Sequence, residues 1–126
     1  MTKPIKYVFY EDRNGKSEIY DYVLKISQSN RPEEMQVFKK LTYQLELLQL
    51  LGERMREPQA KRLTHLKYPL WELRPMPERI FYAYWQDNQY IILHHYTKRQ
   101  AKTDPQQVQH ALRLLDDWIS RKENEK

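Results

Sequence analysis

A chain of 126 residues, 40% of them hydrophobic, can bury the core of one domain, and nothing in it calls for a second. It has no cysteine, which excludes disulfides and thiolate zinc sites, and no apolar run of signal-peptide or membrane-spanning length, so a cytoplasmic protein is expected. Lys and Arg number 22 against 17 Asp and Glu, and the net charge of +5 favours an anionic partner.

The first predicted element is a strand over "IKYVFY" (Ile5 to Tyr10), rich in β-formers, followed by a turn at "EDRNG". From Ser17 onward, Ile19, Tyr22/Val23 and Ile26 have the spacing of a short helix. A second helix follows. Asn30 is its expected N-cap, Pro32 sits in the first turn, and Glu33 and Glu34 suit the positive helix end. Phe38, Leu41, Leu45 and Leu48 recur at helical spacing, and Gly52 can close the helix. That leucine stripe reads as core.

"LWELR" (Leu70 to Arg74) predicts a second strand. "RIFYAYWQ" and "QYIILHHYT" predict a third and a fourth, joined through Asp87 and Asn88, which both tolerate left-handed backbone. A C-terminal helix then begins with Asp104 as cap, Pro105 in first position and Gln107 completing a capping box. Its buried face is Val108, Ala111/Leu112, Leu115 and Trp118/Ile119, and the charged end "SRKENEK" (about 120–126) is expected to fray. The order predicts a single α+β domain over 1–126, an antiparallel sheet with two N-terminal helices and one C-terminal helix.

A two-residue loop pairs Gln86 with Gln89, which sets Arg79 opposite Tyr96 and Phe81 opposite His94. Strand alternation then places Arg79, His94, Tyr96 and Lys98 on one face. His95 falls on the other with Ile80, Tyr82, Tyr84 and Leu93.

Three readings compete for the crowded end of that strand: a metal site, an RNA site and a solvated basic edge. Adjacent histidines on a strand point to opposite faces and cannot chelate one ion together, so no metal site is assigned. RNA carries its own nucleophile in the 2′-OH, so cleavage needs proton-transfer groups and cations around the phosphate rather than a metal. Arg79 and Lys98 could clamp the phosphate, His94 could move a proton, and Tyr96 could stack on a base. The plainer alternative makes the histidines structural, the cations solvated and the tyrosines core or rim.

The segment "LWELRP…ERIFYAYWQDNQYIILHHYTKRQAKTDPQQVQHAL" resembles the RelE/HigB-like toxins of type II toxin–antitoxin modules, in particular their phage-related branch. The residues carrying the resemblance are Leu70, Glu72, Leu73 and Arg74, then Arg79 and Tyr82, then Leu93, His94 or His95, Lys98 and Arg99, and finally Lys102, Thr103 and Pro105. The chain departs from the pattern at "PMPE" (Pro75 to Glu78), where a glycine is common, and at Asp104, which interrupts the Thr-Pro helix start.

The resemblance implies a compact RelE-like fold and a metal-independent, cofactor-free endoribonuclease that cuts mRNA in the ribosomal A site and so inhibits translation. It also implies a cognate antitoxin, expected to be a helix-turn-helix protein encoded beside it. By the same resemblance the expected catalytic set is Arg79, Lys98, His94, Tyr96 and Arg74. Lys102, Arg99, Lys67 and Arg62 are the expected RNA-binding residues. The alternatives are a non-catalytic RNA- or ribosome-binding module of the same fold, or a protein-interaction subunit using exposed tyrosines.

Overall fold

The central hairpin shows how local chemistry sets the frame. Asp87 and Asn88 both take positive φ, 54° and 61°, as a tight turn matched to the right-handed strand twist requires. They join β4 (Glu78–Tyr84) to β5 (Gln89–Thr97) in a computed structural model that describes residues 4–125. Arg79 faces Tyr96 and Phe81 faces His94, as the sequence predicts. Nearer the turn the pairing is offset by one, with Tyr82 opposite Ile92 and Tyr84 opposite Tyr90. The Trp85 N–H donates to the Gln89 carbonyl (2.8 Å) and the Gln89 N–H to the Gln86 carbonyl (2.9 Å), so the loop is not a simple Gln86–Gln89 pair.

A bulge at Leu93 restores the register. Its cost is one misplaced expectation: Leu93 packs with Phe81 and Ile91 on the face opposite Ile80 and Tyr82.

The sheet has five strands in the order β1-β5-β4-β3-β2. β1 (Lys6–Phe9) pairs with β5 in parallel, and β2 (Ala60–Leu63), β3 (Leu70–Leu73), β4 and β5 form an antiparallel run. The sheet is therefore mixed, with one strand more than the sequence suggests. "AKRL" has two charges in four residues and no β-branched side chain, so β2 gives no local strand signal. Its pairing of Ala60 with Leu73 and Leu63 with Leu70 makes it a strand.

α1 (Glu18–Ser27) starts at Ser17, whose hydroxyl accepts from the Tyr20 N–H (3.0 Å). α2 (Pro32–Leu51) starts one residue later than predicted. Arg31, not Asn30, is the N-cap, and it supplies no side-chain acceptor. Ser29 organises that corner instead: its hydroxyl accepts from the Arg31 N–H (3.0 Å) and donates to Glu34 (2.7 Å). Gly52 ends the helix at φ 54°, a backbone conformation that favours glycine, and a Cβ there would lie 2.9 Å from Ile5 Cδ1, whose side-chain end would have to move aside. A 3-10 turn over Gly52–Arg54 leads on toward β2.

The helices cover both faces of the sheet. Ile19 and Ile26 of α1 and Leu41, Leu45 and Leu48 of α2 pack on Leu73, Ile80, Tyr82 and Ile92. α3 (Pro105–Asn124) lays Val108, Ala111, Leu112, Leu115 and Trp118 over Leu70, Phe81, Ala83, Ile91 and Leu93. α3 is helical through Asn124, into the charged segment after residue 119. Arg121 bonds Asp117 (2.9 Å) and the Lys122 ammonium sits 4.5 Å from the Trp118 ring centre. Among the described residues, no helix is long and apolar enough to cross a membrane.

Candidate functional site

Beyond the bulge, β5 divides its side chains between the two faces. His94 and Tyr96 turn toward α3, with their rings over Phe81. His95 and Glu78 meet on the α1 side. The chain then loops back to α3, whose first turn is capped by the Asp104 carboxylate accepting from the Gln106 N–H (2.9 Å).

Between strand end and helix start lies a crevice of about 370 Å³, lined by Tyr96, Thr97, Lys98, Arg99, Gln100, Lys102, Asp104 and Gln107. Three cations face one carboxylate there, and the N-terminus of a 20-residue helix adds its positive end. The crevice is suited to an anion. Burial, and then the charge of Glu72, push the Tyr96 phenol pKa up, so it remains a hydrogen-bond donor at neutral pH.

Of the residues expected at a phosphate, Lys98, Arg99, Lys102 and Tyr96 are brought together here. Arg79 and Arg74 are not in the crevice wall. Both turn to Glu72, a carboxylate with 0% exposure: Arg79 Nε lies 3.4 Å and Arg74 Nε 3.5 Å from its Oε1. The Thr103 hydroxyl approaches the other carboxylate oxygen at 3.4 Å. Arg79 is only 6% exposed, and its Nη1 donates to the Glu78 carbonyl (3.2 Å). The Arg79 guanidinium ties β4 to Glu72 of β3, while Arg74, just past the end of β3, reaches back to the same carboxylate.

His94 also stands back from the crevice. Its Nε2 is 2.6 Å from Gln107 Oε1, and its ring packs against Phe81 and edge-on to His110. The Gln107 side chain is thus engaged with His94 rather than completing a capping box. Burial lowers the His94 pKa against the opposing hydrogen bond from Gln107, keeping the imidazole neutral.

The remaining predicted cations are scattered. Lys67 bonds Asp116 of α3 (3.1 Å), away from the crevice. Arg62, on the edge strand β2, lies over the Trp71 ring (5.7 Å) and lines a neighbouring cavity with Lys61, Thr103 and Pro105.

Glu72, Glu78 and Gln107 organise this region and were not assigned to it from sequence. For Glu78 the signal was present: the register that sets Arg79 opposite Tyr96 also sets Glu78 opposite Thr97. On the α1 side, Glu78 accepts hydrogen bonds from Thr97 Oγ1 and from His95 Nδ1 (3.1 Å), and the His95 ring stacks on Tyr22 at 3.7 Å. Burial opposes ionisation of Glu78, but the hydrogen bonds of His95, Thr97 and Tyr22 and the charge of His95 outweigh it and hold the carboxyl below its usual range. Among the described residues, no three His, Cys, Asp or Glu side chains are grouped to hold a metal ion.

The sequence signature of the family described as phage derived protein Gp49-like (DUF891) matches residues 29–116, from the start of α2 into α3. No curated protein matches the chain.

Proposed function

The chain belongs to the Gp49-like family of phage-derived proteins, and from that premise we propose that it is the toxin of a type II toxin–antitoxin module, an endonuclease that cuts mRNA held in the ribosomal A site. The observation that carries this reading is the crevice at the end of β5. Lys98, Arg99 and Lys102 surround a space that admits a phosphate, with the Tyr96 ring in its wall. The RNA 2′-OH attacks the adjacent phosphorus without a metal, and the cations stabilise the charge that gathers on the phosphoryl oxygens. The ribosome holds the message in place, which suits a toxin with few proton-transfer groups. Silencing falls to a cognate antitoxin, a helix-turn-helix protein from the neighbouring gene that covers this basic end.

The test is cleavage of a translated message by wild type and by Lys98→Ala. The substitution removes a cation that acts mainly in the transition state. Cutting should fall about a hundred-fold or more, while melting and ribosome co-sedimentation hold. Near-wild-type cutting by folded Lys98→Ala would remove the crevice from the mechanism.

A second reading is favoured by one feature. Arg74 and Arg79, the residues best suited to clamp a phosphate, are held by Glu72. A protein that binds the ribosome through the same crevice without cutting would keep that arrangement. Co-sedimentation of wild type with ribosomes, with no cut in the message, would select it.

A further inference from the structure

The opening turn of α3 has no backbone donor to offer a ligand. Pro105, its first residue, has no N–H. The Gln106 N–H goes to Asp104 Oδ1 (2.9 Å), and the Gln107 and Val108 N–H groups go to the Asp104 carbonyl (3.1 and 3.2 Å). The place that a bound anion takes at other helix N-termini is filled by the Asp104 carboxylate itself. An anion in the crevice must therefore be held by side chains. Lys98, Arg99 and Lys102 are available, since none of them makes an ion pair among the described residues.

Asp104 is the one acidic side chain lining that crevice. Its Oδ1 is committed to the cap, and its Oδ2 has no hydrogen-bond partner among the described residues. A carboxylate oxygen can only accept, so it needs a donor from whatever fills the crevice. A phosphodiester has no donor and repels it. The DNA backbone has none either. The RNA backbone carries one per nucleotide, the 2′-OH, next to the carbon that bears the 3′-phosphate. Gln107 Oε1, in the same wall, is already engaged with His94 at 2.6 Å.

We infer that Asp104 is a specificity-determining residue of the crevice: it accepts a hydrogen bond from the ribose 2′-OH beside the bound phosphate, and so selects RNA over DNA. The assignment rests on the reading above in one respect, that the crevice holds a nucleic-acid phosphate. With RNA, the 2′-OH gives the carboxylate a donor while Lys98, Arg99 and Lys102 hold the phosphate. With DNA, the same carboxylate faces the phosphate with no donor between them. Its negative charge and its unpaired oxygen then both count against binding. The capping bond to Gln106 fixes the carboxylate in the wall, so it does not turn away to avoid the mismatch.

The experiment titrates wild type and Asp104→Asn with adenosine 3′-monophosphate and with its 2′-deoxy and 2′-O-methyl forms. None of these has a 5′-leaving group, so none can be cut. Binding is read from the NMR signals of Tyr96 and Lys98, and melting is measured for both proteins. Asparagine keeps a capping oxygen and replaces the free carboxylate oxygen by an NH2, so the helix start is preserved. Wild type should bind the ribo form about ten-fold more tightly than the deoxy and 2′-O-methyl forms, the weight of one hydrogen bond to a charged group. In Asp104→Asn the ribo and deoxy forms should bind within about two-fold of each other, and the deoxy form should bind more tightly than it does to wild type. A folded Asp104→Asn that keeps the wild-type preference overturns the assignment, and so does a wild type that binds ribo and deoxy forms alike. Nucleotides that leave the Tyr96 and Lys98 signals unmoved overturn both the assignment and the crevice as a phosphate site. A preference that depends on Asp104, in a wild type that cuts no translated message, supports the assignment and overturns the nuclease reading alone.

Discussion

Replacing Glu72 by glutamine keeps its shape and removes its charge, leaving Arg79 6% exposed with no counter-charge beside it. At 3.4 Å and an effective dielectric constant of about 20, one such pair has an attraction of about 5 kcal/mol. Most of that is offset by the cost of taking a carboxylate with 0% exposure out of water. Breaking a buried pair from one side costs about 3–5 kcal/mol, because the partner charge stays behind. The lower end applies here. The Glu72 Oε1 contacts lack hydrogen-bond geometry, and the Arg74 side chain, 20% exposed, can turn toward water. A loss of about 3 kcal/mol from a total of about 5–15 should lower the melting temperature by about 12 °C, at about 4 °C per kcal/mol. Thermal melting by circular dichroism, checked by the urea midpoint, reads it. A double variant, Glu72→Leu with Arg79→Met, should recover much of the loss, since well-packed apolar side chains can replace a buried ion pair at little cost. A Glu72→Gln protein that melts within about 3 °C of wild type would refute the idea that Arg79 depends on Glu72, and would return Arg79 to the pool of ligand-binding cations.

Lys102→Ala should weaken ribosome or RNA binding and lower the slope of log affinity against log salt by about 0.7–0.9, the share of one phosphate contact; an unchanged slope removes Lys102 from the interface. Because Glu78 has its folded-state pKa below the usual carboxylate range, it contributes stability above the unfolded-state pKa. That contribution is lost as pH falls through the depressed folded value. Urea midpoints measured against pH should therefore drop more steeply on the acid side for wild type than for Glu78→Gln, and parallel curves would contradict the linkage.

The helices and the hairpin were legible because their signals are local. Ser17, Pro32 and Asp104 mark helix starts, Gly52 marks an end, and Asp87-Asn88 fixes the turn. What escaped depends on distant partners. β2 is a strand only because Leu63 and Ala60 find Leu70 and Leu73, and the parallel docking of β1 on β5 leaves no trace in either segment's periodicity. The bulge at Leu93 moved one side chain across the sheet with no residue to announce it. Glu72, between apolar neighbours in a strand, reads as a solvent-facing position. It is buried because α3 and the 98–104 loop cover that face and bring in Thr103. The crevice cations were readable as a cluster in sequence, but the engagement of Arg79 by Glu72 and of His94 by Gln107 required the tertiary fold.

The two outer strands of the sheet, β1 and β2, are each four residues long, and each carries cations: Lys6 on one, Lys61 and Arg62 on the other. A second molecule adding itself along either rim would find room for few backbone hydrogen bonds and would bring positive charge against positive charge. The sheet is thereby protected from growing into a fibre through its own edges, and the molecule can carry a strongly β-forming centre at high concentration without templating its own aggregation.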